Sequence, residues 1–158
     1  MGTYLHMFPA QQGIRKYIPT KNYKYENIHM DGPTSWAVWI GPAQQSDSSS
    51  LCAANGGCSL CWPQIPSTTC EMEKNFVYEN ITLRNITIVD PQFSYGMGVV
   101  LGHEETPMKN IVFDGVRVIG ADNENRGEYY TCEGVSGGVA LGDTYPVPSC
   151  FEDQTDRN

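Results

Sequence analysis

The sequence predicts an all-β chain that forms about three coils of a right-handed parallel β-helix, with a C-terminal closing segment. Two observations support this fold class: a nine-residue strand motif occurs three times, and a short apolar strand ending in Gly follows each copy. The 16 glycines and 10 prolines favour strands and turns over long helices. The 158 residues fit one domain, which we assign to residues 1–151.

The strand motif has the pattern Asn, apolar, x, apolar, x, Asn or Gly, apolar, x, apolar. Its three copies begin at Asn22, Asn80 and Asn110. Apolar residues alternate within each half, which is the period of a strand, and the period slips by one residue at Asn27, Asn85 and Gly115. Because Asn and Gly tolerate left-handed backbone angles, we predict two short strands joined by a corner in each copy.

The second motif is a short apolar strand that ends in Gly. Its copies are Trp36–Gly41, Met97–Gly102 and Gly137–Gly142. Each coil would then hold three strands, paired with the equivalent strands of the next coil ~4.8 Å away. Asn22, Asn80 and Asn110 would form a ladder of amide hydrogen bonds along the stack. A β-sandwich also has short alternating strands, but it does not require one motif to recur in register.

Three segments interrupt or end the repeat. Residues 42–75 are rich in Ser, Gly, Cys and Pro, so we predict a Cys-rich loop excursion outside the coils. Residues 121–134 form a second predicted excursion, which is polar and acidic. We expect residues 144–151 to close the end of the helix. Residues 152–158 hold no apolar side chain, which predicts a disordered acidic tail.

The even number of cysteines favours disulfides and therefore an oxidising compartment. They are Cys52, Cys58, Cys61, Cys70, Cys132 and Cys150. The spacing of Cys58 and Cys61 also fits half of a zinc site, but neither a second such pair nor a nearby His completes it. We expect Cys132 to pair with Cys150 and staple the closing segment, while the other four allow three pairings.

Composition also bears on partners and localisation. A net charge of −8 makes nucleic acid a poor partner, and an acidic polysaccharide would need a local basic cleft or a cation. No apolar run is long enough to span a membrane, and no cofactor or metal site is indicated. Residues 1–7 lack the apolar stretch of a signal peptide, so we expect a piece of a longer secreted or cell-wall protein. Asn80 and Asn85 each begin a glycosylation signal, and we expect at most one to be used.

The run Asn-Ile-x-apolar-x-Asn-apolar-x-apolar, followed by a Gly-ended strand, resembles the coils of the pectin-lyase-like superfamily. The resemblance covers residues 22–142 and is greatest to polygalacturonase-like proteins of glycoside hydrolase family 28. That family uses Asn-x-Asp, Asp-Asp, Gly-His-Gly and Arg-Ile-Lys motifs, and none is present in this chain. Residues 102–104 read Gly-His-Glu, and residues 116–118 read Val-Arg-Val. The resemblance therefore implies a C-terminal portion that lacks the catalytic residues.

Few residues are candidates for chemistry. If Gly102 and Gly142 are equivalent, the residues that follow them, His103 and Asp143, become neighbours, with Glu104 close by. A His beside acids can act as a general acid or base, although a polar surface turn explains the same residues. Trp36 and Trp39 are predicted to face opposite sides of a strand, so that one of them could stack on a sugar.

Tyr129 is a third candidate for contact with a carbohydrate, although it could equally anchor its own loop. Two functions follow from these observations. The chain is either the C-terminal part of a secreted polysaccharide-processing protein or a non-catalytic extracellular module that binds glycans or builds a surface. The sequence does not determine the polysaccharide or the oligomeric state.

Overall fold

The computed structural model describes residues 5–7, 18–34, 36–41, 76–92, 97–120 and 129–156. These residues form nine β-strands and no helix. The strands are β1 (Leu5–Met7), β2 (Ile18–Asp31), β3 (Val38–Ile40), β4 (Phe76–Val89), β5 (Gly98–Leu101), β6 (Met108–Ile119), β7 (Tyr130–Glu133), β8 (Val135–Gly142) and β9 (Glu152–Thr155). The predicted all-β class is confirmed.

The strands form two sheets in which every neighbouring pair is parallel. The short sheet has the order β1-β3-β5-β7, and the long sheet has the order β2-β4-β6-β8-β9. Along the described elements, the chain alternates between the two sheets from β1 to β8, and β9 then adds to the long sheet beside β8. From β3 to β8, each strand therefore lies beside the strand two positions earlier, which places equivalent residues of the motif in aligned positions.

The long strands bend twice rather than once. Asn27, Asn85 and Gly115 have positive φ, as the slip in the apolar pattern predicts, but so do Asn22, Asn80 and Asn110. The predicted corner within each motif is therefore confirmed. The prediction missed a second corner at the first Asn and the short segment of the same continuous strand that precedes it. The first corner was missed because the motif was begun at its Asn. Tyr78 and Met108, the apolar residues two positions before Asn80 and Asn110, show the same slip.

The Asn ladder predicted from the sequence is present. The Asn80 Nδ2 donates to Asn22 Oδ1 over 2.9 Å, and Asn110 Nδ2 donates to Asn80 Oδ1 over 2.9 Å. A second ladder joins Asn85 Nδ2 to Asn27 Oδ1 over 2.7 Å. These bonds join aligned corners, so the residue type that permits the bend also connects one strand to the next.

The third copy of the short motif was assigned to the wrong sheet. Gly137–Gly142 lies in β8 and pairs with β6, with Ile111 opposite Gly138. The strand of the short sheet at this level is β7, which pairs with β5. The predicted excursion over residues 121–134 therefore contains β7, and its residues 121–128 lie outside the described ranges.

Small inward-facing residues explain that error. The position of β8 aligned with Ile111 holds Gly138, and the next inward position holds Ala140. Phe151 occupies the space that larger side chains would take, because a Cβ added at Gly138 would lie 2.6 Å from its ring. An apolar pattern that depends on large side chains does not reveal such a strand.

The main core lies between the two sheets. Ile81, Leu83 and Ile111 are fully buried there, and the Phe113 ring makes edge contacts with Tyr130 and Phe151 at centroid distances of 5.9 and 5.0 Å. These rings connect β6 of the long sheet and β7 of the short sheet with the segment that follows β8.

The closing segment packs as predicted, whereas part of the tail, which was predicted to be disordered, forms a strand. The Cys132–Cys150 disulfide is present, and Phe151 is buried against the main core. The buried Thr144 hydroxyl donates to the Leu141 carbonyl over 2.7 Å. We expected residues 152–158 to be disordered, whereas Glu152–Thr155 form β9 on the edge of β8. A polar strand is stable there because an edge supplies backbone partners and leaves the side chains in water.

Two buried tyrosines provide a matched test of this core. Burial raises the pKa of both Tyr78 and Tyr130, because ionisation would place a charge in an apolar site. The Tyr78 hydroxyl donates to the Gly41 carbonyl over 2.9 Å, whereas the Tyr130 hydroxyl has no partner among the described residues. We expect Tyr130→Phe to raise the free energy of unfolding by about 1 kcal/mol and Tyr78→Phe to lower it by about 1 kcal/mol.

Urea unfolding followed by tryptophan fluorescence measures both changes. Equal losses in the two variants would contradict the difference in hydrogen bonding.

Candidate functional site

The catalytic candidates predicted from the sequence occupy two turns. His103 and Glu104 follow β5, where the Glu105 amide N–H donates to His103 Nδ1 over 3.0 Å. Asp143 follows β8, and its carboxylate lies 3.0 Å from a guanidinium nitrogen of Arg117. The imidazole nitrogen is thus engaged by its own turn, and the carboxylate is engaged by a cation.

These two turns are not aligned as the sequence suggested. The glycine before His103 lies against Gly134, whereas the glycine before Asp143 lies beside Gly115 in the long sheet. The expectation that His103 and Asp143 are neighbours was therefore wrong. It followed from placing β8 in the short sheet, so the error in topology produced the error in the site.

The two tryptophans do not offer an exposed ring. Trp36 and Trp39 are both buried, and their rings contact each other edge to face at a centroid distance of 5.1 Å. They form a second apolar cluster with Val99 and Leu101. The prediction that they face opposite sides was wrong, because Trp36 lies before β3 begins and strand alternation does not apply to it.

Tyr129 belongs to a surface that we call the tyrosine surface: Tyr129, Tyr145, Arg117, Asp143 and Thr87. The half-buried Tyr129 ring contacts the Tyr145 ring at a centroid distance of 6.4 Å, and Tyr145 is 44% exposed. The Arg117 guanidinium contacts Asp143 at 3.0 Å and Thr87 Oγ1 at 3.4 Å. An exposed aromatic ring beside polar donors and acceptors suits contact with a sugar, whose faces are apolar and whose edges carry hydroxyls.

The sequence did not indicate the pairing of Tyr145 with Arg117. Tyr145 forms a parallel bridge with Arg117, and its amide N–H and carbonyl bond to the backbone of residues 116 and 118. The buried Thr144 fixes this alignment, because its hydroxyl also accepts from the Val116 amide over 3.1 Å. A lone buried Thr between polar residues gives no periodic signal, so the sequence alone does not reveal this alignment.

A groove of about 200 Å³ lies elsewhere on the surface and is lined by Lys21, Glu79, Glu105 and Lys109, among others. Lys21 Nζ lies 2.7 Å from Glu79 Oε2. This hydrogen bond lowers the pKa of Glu79, and the charges of Lys21 and Lys109 act in the same direction. A general acid in glycoside hydrolysis needs a raised pKa, so Glu79 is suited to binding rather than to proton donation.

The two predicted glycosylation sites lie on the ladders. Asn80 and Asn85 are exposed, yet the Nδ2 atom of each already donates to the aligned Asn of β2. A glycan would be attached to this same nitrogen and replace one of its two hydrogens, so the ladder bond would depend on the hydrogen that remains. Use of at most one of the two signals stays a prediction.

Several expectations concern other parts of the chain. Cys52, Cys58, Cys61 and Cys70 lie outside the described residues, as does the predicted insertion over residues 42–75. Among the described residues, no three His, Cys, Asp or Glu side chains are grouped to hold a metal ion. The same part of the chain has no helix long and apolar enough to cross a membrane. Comparisons with protein-family models, curated proteins and solved structures find no match.

Proposed function

We propose that this chain is the C-terminal part of a secreted, polygalacturonase-like polysaccharide-processing protein and forms stacked coils of a right-handed parallel β-helix. The observation that carries this proposal is the in-register stack of β2, β4, β6 and β8, with strands of the short sheet between them along the chain. A chain that alternates between two parallel sheets and adds each strand beside its equivalent follows the path of a solenoid.

The polysaccharide part of the proposal rests on the resemblance of the rung motif to polygalacturonase-like coils. The Cys132–Cys150 disulfide supports a secreted protein, because disulfides persist in oxidising compartments. In this proposal the catalytic groups lie outside this chain, which contributes stacked coils to the scaffold. His103 and Asp143 follow glycines that lie in different parts of the fold, which supports catalytic groups outside this chain.

We expect the purified chain to release no reducing sugar from polygalacturonate. Inverting hydrolysis needs two carboxyl groups on one face ~6.5–9.5 Å apart, with the pKa of one of them raised. The measurement is a reducing-end assay over prolonged incubation, with an active polygalacturonase as positive control. Release above the blank that is lost in a His103→Ala variant would contradict the proposal and assign catalysis to this chain.

A non-catalytic glycan-binding module is the second candidate, and the tyrosine surface favours it. Its Arg117–Asp143 pair is close to neutral in charge, so it suits a neutral polysaccharide better than a polyanion. The net charge of −8 acts against acidic chains over longer distances.

We expect Tyr145→Ala to weaken binding of a neutral polysaccharide about tenfold, because one exposed stacking ring is removed. Affinity gel electrophoresis through galactan, with polygalacturonate in parallel, measures the dissociation constants. Tyr23→Ala is the matched control, since Tyr23 is exposed to a similar degree, 48%, but lies on β2. If the polysaccharide slows the migration of both variants and of the unaltered chain equally, the tyrosine surface does not bind it.

A further inference from the structure

The first strand of the long sheet exposes apolar residues that later strands bury. Tyr23 is 48% exposed, whereas Ile81 and Ile111, which hold the aligned positions in β4 and β6, are fully buried. Tyr25 is likewise partly exposed, while the aligned Leu83 is fully buried. Among the described strands, the outer edge of β2 therefore ends the stack, with side chains that a further strand would cover.

The ladders leave hydrogen-bond donors at this edge. In each ladder the Nδ2 of one Asn donates to the Oδ1 of the aligned Asn in the strand before it. Asn22 and Asn27 accept from β4 in this way, and within the described residues their own Nδ2 atoms have no acceptor. By the direction of each ladder, those donors suit a further Asn side chain on the outer side of β2.

Two columns of outward-facing charges also end at β2. The first contains Lys21, Glu79 and Lys109, in which Lys21 Nζ lies 2.7 Å from Glu79 Oε2. Signs alternate along it as plus, minus, plus. Continuation of this alternation calls for an acidic residue opposite Lys21, because like charges directly opposite each other destabilise a sheet.

The second column contains Glu26, Arg84 and Asp114, with signs minus, plus, minus. Arg84 Nε lies 2.7 Å from Asp114 Oδ2. Continuation here calls for a basic residue opposite Glu26. The two columns lie five residues apart on β2 and are complementary to opposite charges. A strand that binds the edge must therefore carry an acidic residue opposite Lys21 and a basic residue opposite Glu26, which specifies both its alignment and its direction.

We infer that the outer edge of β2 binds a parallel β-strand with the pattern acidic, Asn, apolar, x, apolar, basic, Asn, apolar, x, apolar. This inference rests on the proposed stack of coils, since it identifies the chemistry of the coil that precedes β2. Residues 79–88 of β4 carry this pattern themselves, because β4 already meets these requirements on the inner edge of β2.

A second copy of this chain is a poor occupant of the edge. Among the described strands, the one at the other end of the long sheet is β9, which has four residues. In β9, Asp153 is aligned with Ala140 of β8. Ala140 is in turn aligned with Phe113 of β6, Leu83 of β4 and Tyr25 of β2, so Asp153 holds the position equivalent to Tyr25. Head-to-tail stacking would therefore place a carboxylate against an inward-facing ring, which disfavours pairing.

The test uses the full chain and a fluorescent peptide of residues 79–89 with blocked ends. Fluorescence anisotropy measures binding, and hydrogen exchange locates it. We expect saturable binding and slower exchange of β2 amides. A control peptide with Glu79→Lys and Arg84→Glu keeps the apolar residues but reverses both charges, and we expect it to bind about tenfold more weakly.

Two further measurements complete the design. Tyr23→Ala in the chain should weaken binding of the unaltered peptide without lowering the unfolding temperature by more than a few degrees, because its ring is half exposed. Sedimentation velocity without peptide should give a monomer. Equal affinity for both peptides, protection outside β2, no binding, or a dimer that dissociates in Tyr23→Ala would each overturn the inference. The hydrolysis and glycan assays have separate readouts, so a failure here is distinguishable from a failure of the proposed function.

Discussion

Phe151→Ala is expected to lower the free energy of unfolding by about 3–5 kcal/mol, the usual cost of removing a buried aromatic side chain. The Phe151 ring packs at 5.0 Å from the Phe113 ring and closes the main core at the level of β8. Its removal leaves Gly138, which has no side chain, beside an empty volume. We also expect faster hydrogen exchange in β9, because Phe151 immediately precedes that strand.

A double-mutant cycle with Gly138 tests whether the two positions share one space. Gly138→Ala alone should cost about 1–3 kcal/mol, because its Cβ would lie 2.6 Å from the Phe151 ring. Combined with Phe151→Ala, the same methyl group enters the vacated volume, so the double variant should be more stable than the sum of single effects by over about 1 kcal/mol. Urea unfolding of the four proteins measures the coupling, and additive losses would show that Phe151 does not fill the place of a larger residue at Gly138.

The repeated part of the fold could be predicted from the sequence because its signals are local. Alternation of apolar residues specifies strands, and an Asn or Gly at a slip in that alternation specifies a corner, so Asn27 and Asn85 were recognised without any knowledge of the fold. The recurrence of one motif then indicated parallel pairing and the ladder through Asn80. Each inference needed only a few adjacent residues and one comparison between copies.

The strands β7 and β8 were harder to predict because their residue types differ from those of the equivalent earlier strands. β7 has Thr131 and Glu133 on its outward positions, and β8 has Gly138 and Ala140 facing inward, so neither resembles its equivalents. One signal was present, since Gly134 follows β7 as Gly102 follows β5. These glycines approach each other so closely that a Cβ at either would clash with the backbone of the other.

The candidate site could not be predicted, because it depends on how separate segments align. The tyrosine surface exists because Tyr145 pairs with Arg117, and that pairing depends on the buried hydroxyl of Thr144. Arg117 holds a variable position of the strand motif, and Tyr145 and Thr144 lie outside every repeat. The Lys21 groove likewise requires β2, β4 and the turn before β6 to be in register. Sequence periodicity defines single strands, whereas sites of this kind arise between them.

Asn80→Ala is expected to lower the free energy of unfolding by about 2–4 kcal/mol, a large effect for an exposed residue. Asn80 donates to Asn22 and accepts from Asn110, and two hydrogen bonds of this kind contribute about 0.5–1.5 kcal/mol each. Its φ is 57°, where a residue with a Cβ but no compensating polar group incurs about 1 kcal/mol of strain.

Asn80→Gly separates the two contributions, because glycine adopts this φ freely but makes no ladder bond. We expect its loss to be smaller than that of Asn80→Ala by about 1 kcal/mol. Gly137 provides the reverse experiment: it lies at the aligned position in β8 with φ +74°, and a Cβ there meets nothing closer than 3.9 Å. Gly137→Asn should extend the ladder to Asn110 and raise the free energy of unfolding by about 0.5–1 kcal/mol. If Gly137→Asn destabilises the chain while Asn80→Ala has no effect, the amide ladders do not hold the strands together.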